Sequence, residues 1–161
     1  MAHLIYGCKT PKANGKEYPV AASQYFRHDG VNAVYLDGSG HVLLGLTATT
    51  TLKGVAIVPK GRGVGASDAY WLSSATAGKD KIFVITDPGA QFLAPADDTV
   101  TAAMAGNACD LIAVNDGTAT TVDVGTSSTD VFIIDGLGTD AGGSATDVLI
   151  RINPGKYQAD T

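Results

Sequence analysis

The sequence predicts a mainly β protein, a small β-barrel or β-sandwich with one short helix and an extended N-terminal arm. Among its 161 residues are 20 glycines, and Glu17 is the only glutamate among 16 acidic residues. Aspartate and glycine favour turns, whereas glutamate favours helix interiors. Short runs rich in β-branched residues recur between turn signals. No long segment shows the 3.6-residue period of an amphipathic helix, so we expect an all-β domain.

The beginning of the chain is predicted to be an extended arm. It contains Lys9, Lys12 and Lys16 among prolines and glycines and shows no sustained helical or strand period. Arms of this type are often ordered only against a partner. The predicted organisation is an extended N-terminal arm at 1–23, a single β-rich domain at 24–158 and a loose C-terminal tail at 159–161.

A β-hairpin is the first feature of the predicted domain. Residues 31–36 and 41–46 are apolar runs separated by the four-residue turn Asp37-Gly38-Ser39-Gly40. Polar residues from 155 onward are expected to be loose. Further strands, each bounded by turn residues, are expected at 52–58, 70–72, 81–86, 91–94, 111–114, 120–124, 131–135 and 147–152.

One short helix is expected at residues 99–105. Three alanines in this segment favour helix, and Gly106-Asn107 tolerates the left-handed conformation that often ends one. Asp97 and Asp98 come just before it, where acidic side chains stabilise a helix start. We therefore interpret both aspartates as cap and first-turn charges rather than as a catalytic pair.

The charge is unevenly distributed along the chain. Residues 1–90 hold nine of the 11 basic and six of the 16 acidic residues, giving +3, whereas residues 91–161 give −8. Such asymmetry can orient a protein on a charged partner or stack subunits head to tail. It lacks the basic face interleaved with aromatic residues that nucleic-acid binding requires, and there is no long apolar run. We expect neither a nucleic acid nor a membrane as partner.

No motif predicts an enzyme, a cofactor or a metal site. Gly61, Gly63 and Gly65 follow a strand, and Asp87 ends the next one, as in a dinucleotide-binding fold, but no amphipathic helix begins at these glycines. We interpret residues 60–67 as a surface loop. The histidines and cysteines lack metal-ligand spacing and are His3, His28, His41, Cys8 and Cys109.

The start of the chain, MAHLIYGCKT, also bears on where the protein resides. It lacks the basic region and long apolar stretch of a secretory signal. Two distant cysteines do not form a disulfide framework. Both observations predict a protein made in a cytosol-like compartment.

Residues 70–158 contain several features in a distinctive order: an Asp87-Pro88-Gly89 turn, a Thr-Ala segment ended by Gly106-Asn107, the turn Asp116-Gly117, and a final strand ending in Arg-Ile-Asn-Pro. In this order they resemble a family of structural proteins of tailed bacteriophage heads. The family is that of head decoration, or capsid cement, proteins. Residues 1–69 share with it only the extended arm before a β-domain.

This resemblance implies a non-enzymatic protein that binds the outside of an expanded shell and stabilises it against internal DNA pressure. Its implied partner is the major capsid protein, its implied form a homotrimer at local threefold axes, and its implied location the capsid exterior of a virion assembled in the host cytoplasm. No cofactor is implied. The arm is then expected to lie along the capsid or an adjacent subunit, with its lysines near acidic groups. Deletion of residues 1–20 is expected to change head binding and stability. The expected contact residues are Lys9, Lys12, Lys16 and Tyr18.

The alternative function is a binding module associated with the phage tail or a fibre. Such a module would recognise a host receptor or a glycan through an exposed aromatic patch. Tyr70 and Trp71, beside the loop from Gly61 to Gly65, are the candidates for that patch. The location of the protein on the particle distinguishes the two functions.

Overall fold

The computed structural model describes residues 7–28, 30–58, 70–118 and 120–158. Within these ranges the chain forms strands joined by turns and three short 3-10 helices. The strands are β1 (Gly7–Cys8), β2 (Gly15–Pro19), β3 (Tyr25–Arg27), β4 (Asn32–Leu36), β5 (Val42–Leu44), β6 (Gly54–Ile57), β7 (Tyr70–Leu72), β8 (Lys81–Ile85), β9 (Phe92–Pro95), β10 (Ala108–Ile112), β11 (Thr121–Asp123), β12 (Phe132–Leu137) and β13 (Asp147–Ile152). The 3-10 helices are Ala102–Met104, Gly138–Ala141 and Pro154–Lys156.

The strands form three antiparallel sheets. A six-stranded sheet has the order β1-β9-β13-β12-β10-β11, a five-stranded sheet the order β2-β8-β6-β4-β5, and β3 pairs with β7. The prediction of a mainly β fold is confirmed. Of the two predicted architectures, the sheets are sandwich-like and do not form a closed barrel.

The five-stranded sheet lies between two cores because apolar residues alternate along its strands. In β4, Ala33 belongs to the core shared with the six-stranded sheet, and the next residue, Val34, belongs to the second core. Phe92 and Phe132 are the large aromatic residues of the first core, and Phe26 packs in the second. A sheet covered on both faces is held mainly by hydrophobic burial.

Several predicted elements are present at the expected positions. The hairpin of β4 and β5 pairs Leu36 with Val42 across its turn, and β13 has the predicted bounds 147–152. Gly106 has φ of 93°, the left-handed conformation expected of it. Strand β10 begins three residues earlier than predicted because Ala108 and Cys109 pair with β12.

The prediction of a helix at 99–105 is corrected by the structure. Only Ala102–Met104 is helical, and it forms a single 3-10 turn. Tertiary contacts explain why. Val100 is buried, and its N–H donates to the Ala145 carbonyl at 2.6 Å, while Thr101 has extended backbone angles. These contacts override the helix propensity of the alanines.

Two predicted termini also differ in the structure. The arm is extended as expected, but β1 and β2 pair with β9 and β8 of the same chain, so most of it belongs to the domain. At the other end, Tyr157 forms a bridge with Leu52, and the Gln158 side chain bonds both backbone groups of Leu36. Residues 155–158 are therefore docked rather than loose. The predicted tail at 159–161 lies outside the described residues.

Candidate functional site

The predicted contact residues lie on and before strand β2. Lys9 follows β1, and its N–H donates to the Gln91 carbonyl at 2.8 Å. Lys12 is exposed in the turn that follows, with φ of 55°. Lys16 is exposed on β2, and its Nζ is 5.4 Å from the centroid of the Tyr18 ring, close enough for a cation–π contact. The structure thus places Lys16 on the edge strand of the five-stranded sheet and Lys12 in the turn before it, whereas Lys9 continues β1 at the edge of the six-stranded sheet.

Tyr18, the fourth predicted contact residue, also stabilises the fold. It is half-buried and packs against the second core, which contains Val20. Its ring also faces the Lys16 ammonium in the cation–π contact. Of the four predicted contact residues, Lys12 and Lys16 present the most accessible charge.

Strand β2 has an open outer edge. The Val20 N–H donates to Asp80 and the Thr86 N–H to Asn14, so alternate residues from 14 to 20 face β8. Gly15 and Glu17 therefore direct their N–H and carbonyl groups away from the sheet, and no described residue bonds them. Unpaired backbone groups at a sheet edge are a template for another strand.

Exposed apolar side chains lie beside this edge. Phe83 on β8 is 41% exposed, and its ring packs where a side chain on Gly15 would otherwise stand, 2.5 Å from an ideal Cβ position. Ile57, which is 46% exposed, is the register partner of Phe83 on β6. The edge of β2 is thus bordered by lysines on one side and by an apolar surface on the other.

A cleft of about 300 Å³ opens near the first described residues. Its lining includes Cys8, Arg27, His28, Ile57 and Phe92. Cys8 is half-buried, and its thiol contacts the Thr10 carbonyl at 3.6 Å. The cleft combines apolar walls with a guanidinium and an imidazole, but these groups do not form a recognisable catalytic arrangement.

The aspartates act mainly within the fold. Asp37 Oδ1 accepts bonds from the backbone of Ser39 and His41 and so closes the predicted hairpin turn. Burial favours a higher pKa for Asp37, but the two backbone bonds and the nearby imidazole together lower it. Asp87 accepts a bond from the Gly89 N–H at 3.0 Å, which agrees with its interpretation as a turn residue.

The two aspartates interpreted as helix caps have different partners. Asp97 accepts a bond from the Val124 N–H at 3.0 Å, and Asp98 from the Thr99 N–H at 2.6 Å. The 3-10 turn begins later and has no side-chain cap. Asp97 therefore links two strands of the six-stranded sheet instead of capping a helix.

Asp110 holds the loop that follows β11. Its carboxylate is nearly buried and accepts bonds from the N–H groups of Ser128, Thr129 and Asp130 at 2.8 to 3.0 Å. Burial acts to raise the pKa of Asp110, but these backbone bonds outweigh it and lower the pKa below the ordinary 3.8. The carboxylate is a structural tether.

The predicted aromatic patch is only partly exposed. Tyr70 is 36% exposed and meets Tyr25 edge-on, with ring centroids 4.9 Å apart. Trp71 is buried and stacks on Phe26, so it cannot form part of a surface patch. Strand alternation explains this correction, because neighbouring residues point to opposite faces. The loop from Gly61 to Gly65 lies outside the described residues.

No group of three or more histidine, cysteine, aspartate or glutamate side chains in the described ranges is arranged to hold a metal ion. Cys109 is fully buried, and burial together with the nearby Asp110 raises its pKa to about 12. A thiol with this pKa does not act as a nucleophile. In the same ranges, no helix has the length and apolar character needed to cross a membrane.

The sequence did not indicate the open backbone of Gly15 and Glu17 or the exposure of Phe83. Phe83 lies in the continuous apolar run of β8, which shows no alternation of polar and apolar residues. The sequence therefore does not show that the Phe83 side chain points away from both cores. A period-two pattern over Lys16 and Tyr18 was the available signal for β2, but the neighbouring prolines and glycines obscured it.

No protein-family model, no curated protein and no solved structure gives a match to this chain. The fold defines it as a mainly β, sandwich-like protein.

Proposed function

We propose that the protein is a decoration protein of a tailed bacteriophage, bound to the outside of the head through the major capsid protein. The observation that carries this proposal is the exposed charge of Lys16 on β2 and of Lys12 in the turn before it. Exposed lysines offer charge to acidic groups of a protein partner. The resemblance of residues 70–158 to head decoration proteins supports the same function.

A cementing role requires only surface burial across joints between capsid subunits. Each bound copy makes modest contacts, but many copies on one shell add up because each holds its neighbours at high effective concentration. In this proposal the protein is a homotrimer without a cofactor, located on the capsid exterior after assembly in the host cytoplasm. It performs no catalysis.

Deletion of residues 1–20 is a poor test of this function. The deletion removes β2, which pairs with β8 over five residues, and Val20, which is 1% exposed in the second core. A chain without them loses a strand and core packing, so it would fail to bind for lack of folding. A surface substitution separates binding from folding.

The substitution Lys16→Glu is expected to weaken binding to capsid shells about tenfold, because it replaces an attraction to acidic groups with a repulsion. The loss should shrink as salt is added, since exposed charges are screened. Purified protein would be co-sedimented with expanded shells that lack it, over a concentration series at low and high salt.

Lys79→Glu is the matched control, because Lys79 is an exposed lysine in the turn before β8, off the β2 edge. It should bind within about twofold of the unsubstituted chain. Equal binding by both variants would remove Lys16 from the capsid contact. Failure of the unsubstituted protein to bind any shell would contradict the function itself.

A further inference from the structure

Several strand edges in the described residues are covered by other parts of the chain. On β3, the Tyr25 N–H donates to the Asn115 side chain, and the side chain of Asn32 bonds both backbone groups of Arg27. The Gln24 side chain accepts from the Leu44 N–H on β5 in the same way. Side-chain amides thus imitate a neighbouring strand and leave little for another chain to bind.

Isolated bridges also cover the edge of β5 and close that of β11. Val20 bridges Val42 on β5, and Ala96 bridges Val122 on β11. The backbone N–H groups of Ala21 and Asp97 add hydrogen bonds at these bridges. Other edges present outward backbone groups that no described residue bonds.

Strand β7 has such an edge, as β2 does. The Ser73 N–H donates to the Gln24 carbonyl, so Trp71 faces β3 and its two neighbours face away from it. Tyr70 and Leu72 therefore direct their N–H and carbonyl groups outward, and no described residue bonds them. The outward backbone of β7 has the same two-residue spacing as that of Gly15 and Glu17.

We propose that β2 of one copy pairs antiparallel with β7 of a second copy, with Gly15 opposite Leu72 and Glu17 opposite Tyr70. Residues opposite one another in an antiparallel pair share a face. Leu72 would then lie on the face of Gly15, where the exposed ring of Phe83 packs. The leucine would then pack against the Phe83 ring, which covers Gly15.

The exposed apolar residues support this pairing. Five large hydrophobic side chains are exposed in the described residues, and the pairing brings four of them together. Ile57 and Phe83 come from one copy, and Tyr70 and Leu72 from the other. An apolar surface divided between two open edges is what a contact between copies requires.

Charge decides between the edges that could accept β2. Lys16 is exposed on β2. A pairing of β2 with another β2, with Gly15 opposite Glu17, would place Lys16 opposite itself, which is repulsive.

A contact between two different edges is head-to-tail, and it closes into a ring when the rotation between copies permits. The pairing of β2 with β7 does not depend on the proposed function. The number of copies in the ring, three, rests on the proposed function. The test of the pairing uses the purified chain alone, so a failure to bind shells and a failure to associate are measured separately. A chain that associates but does not bind shells would contradict the function and leave the pairing intact.

The test uses proline at one outward position of each edge. Glu17→Pro and Leu72→Pro each remove an N–H that bonds no strand of the same chain, and proline is tolerated at such positions. Each variant alone should be a monomer by sedimentation, whereas the unsubstituted chain forms a trimer. Glu17→Ala and Leu72→Ala keep the backbone N–H and should still associate.

Mixing the two proline variants tests whether β2 of one copy pairs with β7 of another. Glu17→Pro retains an intact β7 and Leu72→Pro an intact β2, so an equimolar mixture should form dimers and nothing larger. Self-association of either proline variant alone, or a mixture that stays monomeric while both variants are folded by circular dichroism, would overturn the proposal.

Amide exchange on the unsubstituted chain tests the same pairing without any substitution. The Glu17 and Leu72 amides should exchange more slowly as concentration drives association, while the Lys16 amide, already bonded to β8, should not change. Equal exchange of Glu17 and Leu72 in dilute and concentrated protein, or a monomer at every concentration, would contradict the inference.

Discussion

The substitution Gly54→Ala is expected to destabilise the chain by about 3 kcal/mol. Gly54 begins β6, which lies between β4 and β8 in the five-stranded sheet. A Cβ at this position would collide with the backbone carbonyl oxygen of Ile85 and approach Val84 Cγ1 to 2.8 Å. The carbonyl cannot move without disturbing β8, so the strain remains in the folded state. Chemical denaturation followed by circular dichroism measures the loss.

Gly38→Ala is the control for this prediction. Gly38 lies in the hairpin turn, and a Cβ built on it has no atom within 4 Å. The same chemical change should therefore alter stability by no more than about 0.5 kcal/mol. If the two alanine variants unfold at the same denaturant concentration, the close packing of β6 against β8 is wrong.

The substitution Asp110→Ala is expected to cost about 2 to 3 kcal/mol. It removes the acceptor of three backbone N–H groups, those of Ser128, Thr129 and Asp130. These donors lose a charged partner in a site that is largely closed to water. Asp110→Asn keeps an acceptor oxygen and should lose less. Denaturation at neutral pH compares the variants.

The cost should depend on pH in one direction. Because the folded-state pKa of Asp110 is lowered below the ordinary 3.8, its contribution is complete above that value and is lost as pH falls through the folded-state pKa. The stability difference between the unsubstituted chain and Asp110→Ala should therefore shrink only in acid. Asp140→Ala, at an exposed position of the 3-10 helix Gly138–Ala141, is the control and should unfold close to the unsubstituted chain at every pH. A difference that grows in acid would contradict the tether.

Local signals in the sequence predicted the positions of several strands and turns. The hairpin with its turn at Asp37, the strand at 147–152 and the left-handed Gly106 depend on residues close together in the chain. Turn chemistry and strand alternation are short-range properties, so a single sequence contains them.

Contacts between distant residues explain what the sequence did not predict. The helix at 99–105 is displaced by the bond from Val100 to Ala145, and the predicted arm is paired to β8 and β9. Neither partner is near in sequence. Long-range pairing overrides weak local propensity, and a segment rich in lysine and glycine gives little warning of it.

The candidate site was predicted in part. Lys12 and Lys16 are exposed as the arm hypothesis requires, but they lie on a folded strand and its preceding turn rather than on a free arm. Tyr18 is partly a core residue. Which residues of β2 direct their N–H and carbonyl groups outward depends on which alternate residues bond to β8. That assignment requires the register of the two strands, which the sequence alone does not give.

The measurement that tests the central claim most directly is a density map of the purified phage particle. The proposed function predicts many copies on the outer surface of the head, seated at joints between major capsid proteins, with the β2 edge in contact with a protein neighbour. Copies confined to the tail or its fibres in small multiples, with none on the head, would contradict the account and favour the receptor-binding alternative.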